Sequence, residues 1–146
     1  MTIRNRLCAL AVLATLAAPA QAEIGLPSTG FADGFPEVSQ ARMWCHAVFM
    51  REEDRLQDEG DIYGAEDMRG SSLWQEARRI REELGLEVLQ VSRLTDFYWQ
   101  EAQAVLVADP DRFAQIVEAC WTVSREFSAQ LRREKADARH DAVRAG

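Results

Sequence analysis

Residues 37–57, EVSQARMWCHAVFMREEDRLQ, decide the fold. At about 100° per residue, Val38, Ala41, Cys45, Val48, Phe49 and Leu56 fall on one face, the mark of an amphipathic helix. Pro36 is well placed at the helix start, Glu37 suits the positive end of its dipole, and Gly60 ends it. A second stretch, residues 110–131, PDRFAQIVEACWTVSREFSAQL, repeats the pattern. There Phe113, Ile116, Val117, Cys120, Val123, Phe127 and Leu131 share a side. Asp109 is placed to cap this helix, Pro110 to take its first position and Asp111 to complement its dipole.

Cys45 and Cys120 each sit mid-stripe, so the two stripes and the two thiols point to the same contact. A disulfide between them would join the first and last helices across the core. Closing a loop of that length contributes about 4 kcal/mol in the chain-entropy account. The levels of the two cysteines along their helices suit parallel and antiparallel packing alike.

Between these helices lies DEGDIYGAEDMRG, residues 58–70, whose three glycines and five acids predict a loop. Ser71 or Ser72 can cap the next helix, and Ser72-x-x-Gln75 has capping-box spacing. Leu73, Ala77, Ile80 and Leu84 then form a stripe. It resumes in register past Gly85 at Val88, Val91, Leu94, Tyr98, Ala102 and Val105. That continuity favours one long helix kinked at Gly85 over a broken pair, because an interior glycine costs only about 1 kcal/mol against alanine. No strand-like alternation of useful length and no internal repeat is present. The expected fold is therefore all-α: a small antiparallel bundle of three to four helices over residues 37–135, clamped by one disulfide. Before it, residues 23–36, EIGLPSTGFADGFP, read as an extended leader. After it, residues 136–146 read as a charged, flexible tail, the solvated end of the last helix.

Residues 1–22, MTIRNRLCALAVLATLAAPAQA, read as a cleaved secretory signal. Arg4 and Arg6 precede an apolar run too short to span a bilayer, and Ala20-Gln21-Ala22 is a signal-peptidase pattern. The expected location is periplasmic or secreted, with no transmembrane segment after cleavage. Cys8 would leave with the signal, and the remaining even pair of cysteines suits an oxidising compartment. Removal of the two arginines takes the formal charge from −7 to −9. An acidic chain repels phosphate backbones, which argues against nucleic-acid binding.

Two sets of candidate site residues lie on the first helix. Met43, His46 and Met50, spaced +3 and +4, line up away from the main core face, and thioether and imidazole ligands suit copper. The segment ARMWCHAVFM is also apolar almost all round, which suits a helix with a second, partner-binding face. Such a surface would centre on Met43, Trp44, Ala47 and Met50. The bland readings are that the methionines and the four tryptophans, at 44, 74, 99 and 121, are packing residues. The acidic run from Glu52 to Asp67 lacks EF-hand spacing and reads as a solvated helix end. No C-x-x-C-H haem motif or nucleophile elbow is present, and His140 lies in the charged tail. These observations predict no cofactor. They favour an exported, soluble, non-enzymatic helical bundle of the cell envelope that binds another protein or envelope component, or its own copy as a homo-oligomer. The alternative is a periplasmic copper or small-ligand carrier.

Overall fold

The computed structural model describes residues 23–145, so the expected signal over 1–22 lies outside the described residues. The chain forms an all-helical bundle: α1, Glu37–Glu59; α2, Ile62–Arg69; α3, Gln75–Leu84; α4, Val88–Ala108; and α5, Pro110–Ala145. Four of these have ten residues or more and α2 has eight. No strand occurs among the described residues, and no described helix is long and apolar enough to cross a membrane.

α1 is the central helix, in contact with each of the other four. This explains why it is apolar almost all round: Met43, Trp44, Cys45, Ala47, Val48 and Phe49 are all buried. Gln40 and Trp44 meet Tyr98 near the start of α1, while the later residues Arg51 to Asp58 share a groove with Gln103 and Leu106. α4 thus runs with α1. The tight turn at Asp109 sends α5 back, so that Arg42 reaches Phe127 and Gln130 while Cys45 bonds Cys120. The two bridged helices are antiparallel. The disulfide is formed, with S–S 2.05 Å and Cα–Cα 5.3 Å, and both sulfurs belong to fully buried residues. Asp109 caps α5 as its sequence suggests, its Oδ1 accepting from the Arg112 amide at 2.9 Å.

Two expectations are corrected. Residues 58–70 are not all loop, since α2 occupies Ile62–Arg69. Asp61 opens it by accepting from the Gly64 amide, Arg69 sits in its last turn, and Ala65 buries against the body. Gly85 is a break, not a kink: it ends α3 at φ 64°, a left-handed backbone that interrupts any helix. A new helix then starts behind a capping box made by Glu87 and Gln90. Ser71, not Ser72, makes the cap near α3, accepting from the Leu73 amide ahead of a short 3-10 turn. The leader is also tied down. Ile24 and Phe35 are buried in the core, and the Ile24 carbonyl accepts the Trp44 indole N–H at 2.6 Å. As for the tail, helix α5 continues to Ala145, with residues 132–144 exposed on all sides.

Candidate functional site

Two flanks of α1 concentrate the polar chemistry of the body. On the first, Glu76 of α3 is almost wholly buried, at 1% exposure. It accepts from Ser39 Oγ at 2.7 Å and from Arg42 Nη1 at 3.3 Å, with Arg79 Nη1 at 3.7 Å. The Arg42 guanidinium lies 4.2 Å from the Phe127 ring centroid and donates to Gln130 Oε1 at 2.6 Å. Gln130 in turn donates to Glu134, which also faces Arg79. Charge, hydrogen bonds and a ring face thereby knit α1, α3 and α5 together. A buried carboxylate held this way is a structural group, since a charge in a low-dielectric interior persists only when paired and hydrogen-bonded.

The second flank is an open cleft of about 330 Å³ between α1, α2 and the turn leading to α3. His46, Phe49, Met50 and Glu53 of α1 form one wall; Met68, Arg69, Ser71 and Trp74 form the other. Met50 and Trp74 are 40% and 51% exposed. Glu53 Oε1 accepts from Arg69 Nε at 2.8 Å, so an ion pair closes one rim. Burial lowers the His46 pKa below its ordinary value, with the Glu53 charge acting weakly the other way. The imidazole is therefore neutral at neutral pH. No hydrogen bond engages its ring nitrogens among the described residues.

The sequence-derived site residues divide between these surroundings. Met43, Trp44 and Ala47 are core residues, at 5%, 0% and 3% exposure. They offer no surface to a partner, because the leader and the four neighbouring helices cover the sides of α1 at their level. Of that proposed surface only Met50 is open. The proposed metal set is split likewise: His46 and Met50 share the cleft, Met43 does not, and Met68 of α2 stands there instead. Cys45 and Cys120 are where their stripes put them. Among the described residues, no group of three or more His, Cys, Asp or Glu side chains comes together as a metal site.

The tryptophans do not converge on one pocket. Trp44 packs against Tyr98, Trp99 lies under the Arg51 guanidinium at 3.3 Å, and Trp121 packs on Phe49 at 4.6 Å. Tyr98 is held by burial and its hydroxyl is pushed up to about 12. Two acids near the end of α1 are matched within the helix: Arg55 bonds both Glu52 and Glu59, which raises its pKa. A wider groove of about 670 Å³ runs between α2 and α5, but its lining is mostly polar and charged, Trp121 apart. Met68 and Trp74 are the cleft residues that sequence reasoning missed. Met68 lies in a segment read as loop, and Trp74, one of four tryptophans that could line a ligand pocket, reads by its spacing as core. No family model, curated protein or solved structure matches this chain.

Proposed function

We propose that this chain is an exported, non-enzymatic binding protein of the cell envelope, and that the His46–Met50–Met68–Trp74 cleft is its binding surface. The observation that carries the reading is the contrast in what lines the two flanks, whose grooves are about 300 and 330 Å³. Charges on the Glu76 side are spent on one another, whereas the cleft presents the exposed thioether of Met50 and a half-exposed indole, and is lined as well by the part-buried Met68. Methionine and tryptophan suit this task, because one adapts its shape and the other contributes large contact area at an interface centre. Export is supported by the basic start, short apolar run and Ala-x-Ala site of residues 1–22, and by the single disulfide. The one carboxylate of the cleft is tied to Arg69, a lining suited to holding a ligand more than to moving protons.

The occupant that fits is a partner protein inserting an apolar or aromatic side chain, flanked by polar groups that meet the Glu53–Arg69 rim. A photo-reactive amino acid placed at position 74, and separately at exposed position 107 on α4, tests this in cells. A discrete adduct from position 74 and none from position 107 is expected. Equal labelling from both, or no adduct from position 74, overturns the reading. An adduct of the chain with itself would replace the foreign partner by a second copy.

A further inference from the structure

The cleft also gathers an unusual share of the soft donor atoms of this chain. The sequence has four methionines and two histidines. Two of those methionines and one of those histidines line this single space. His46 and Met50 are one helical turn apart on α1, which brings their side chains side by side. Met68 approaches from α2 across the cleft. The stronger soft ligands, the thiols of Cys45 and Cys120, are consumed in a buried disulfide and compete for nothing. Thioether sulfur with imidazole nitrogen is a donor set that selects a soft ion such as Cu(I) over calcium or magnesium. The carboxylate that could have favoured a harder ion, Glu53, is instead neutralised by Arg69 at the rim.

We infer that the cleft binds a single Cu(I) ion through the His46 imidazole and the thioether sulfurs of Met50 and Met68. This deepens the binding reading of the same cleft by naming a cargo, and it rests on that reading only for the cleft being open. Met43, next to this set by sequence spacing alone, takes no part because it is packed in the core. The exposed Met50 and the indole of Trp74 at the mouth leave a route for the ion to enter and to pass to an acceptor.

The probe is Cu(I) supplied anaerobically as its acetonitrile complex, without thiol reductant, so that the disulfide stays closed. A chromogenic Cu(I) chelator competes for the ion, and the purified protein is compared with three leucine variants. Met→Leu keeps size and apolar character while deleting the sulfur. One equivalent bound by the wild type is expected, weakened by about tenfold or more in Met50→Leu and in Met68→Leu, at least what a lost outer-shell contact costs a metal site. Met43→Leu should bind as the wild type does. Absence of competition by the wild type, or binding by Met50→Leu and Met68→Leu as tight as the wild type's, overturns the inference. So does a Met43→Leu variant, folded by circular dichroism, that binds as weakly as those two. The crosslink from position 74 separates the two claims. A crosslink from position 74 in a wild type that binds no Cu(I) would end the metal site and leave the docking reading standing.

Discussion

The two flanks of α1 are built from the same helix and differ in what they keep for themselves. On the Glu76 flank, Ser39, Arg42 and Arg79 converge on one carboxylate, Gln130 takes a further Arg42 donor, and a ring face covers that guanidinium. On the cleft flank, Met50 and Trp74 stand open, and the part-buried His46 lines the space beside them. The flank whose charges pair with one another ties three helices together, and the other flank is the one proposed to bind.

The largest effect should come from the bridge that underlies both flanks. Replacing Cys45 and Cys120 together by alanine removes a loop constraint over a separation of 75 residues. It should lower the unfolding free energy by about 4 kcal/mol in urea titration. Next comes the Glu76 flank. Glu76→Ala leaves Arg42 buried and uncompensated, and should cost about 3 kcal/mol. Arg42→Met combined with Glu76→Leu should recover most of that loss, because apolar pairs of similar volume often replace buried ion pairs without penalty. A double variant as unstable as Glu76→Ala would mean that the charges do more than fill space. Gly85→Ala forces a side chain into a left-handed backbone at φ 64°, for a loss of about 1 kcal/mol. Were the segment one kinked helix instead, the same change would stabilise it.

The smallest effect concerns pH and belongs to the open flank. Burial lowers the His46 pKa, while Glu53 opposes the shift and Arg69 neutralises Glu53 nearby. A histidine whose folded pKa lies below its unfolded value binds its proton more readily when unfolded. Folding stability should therefore be full above the ordinary histidine pKa of about 6.5 and fall as pH drops through it. His46→Gln should flatten that part of the stability–pH curve, read by thermal melts across the range. An unchanged curve would place the acid sensitivity elsewhere.

How much of this was legible in the sequence follows from how each feature is encoded. α1, α5 and their bridge were readable because long stripes and mid-stripe cysteines are redundant signals. α2 was hidden: with glycine at 64 and 70 and only Ala65 buried, it has no stripe, and its cues were Asp61 at the start and Arg69 at the end. The break at Gly85 was masked by an accident of phase. Leu84 and Val88 are four apart, so the stripe stays in register whether or not the helix continues. Glu76 gave no warning, since its partners Ser39 and Arg42 lie 37 and 34 residues away. The cleft was half visible. His46 and Met50 are neighbours by helical spacing, but Met43 and Met50 share nearly the same side and differ only in level along α1. No periodicity reports level, and exposures of 5% and 40% are the result.

The central claim is that the cleft serves binding and not folding, and one doubly read measurement tests it most directly. Met50→Asp and Trp74→Arg would be combined in one chain carrying a photo-reactive residue at exposed position 69, on the rim of the same cleft. Thermal stability and crosslink yield are then recorded on that chain and on its parent with the same probe. The account predicts stability within about 0.5 kcal/mol of the parent, as for exposed positions generally, together with loss of the adduct. An adduct formed in full yield, or its loss accompanied by collapse of the fold, would contradict it.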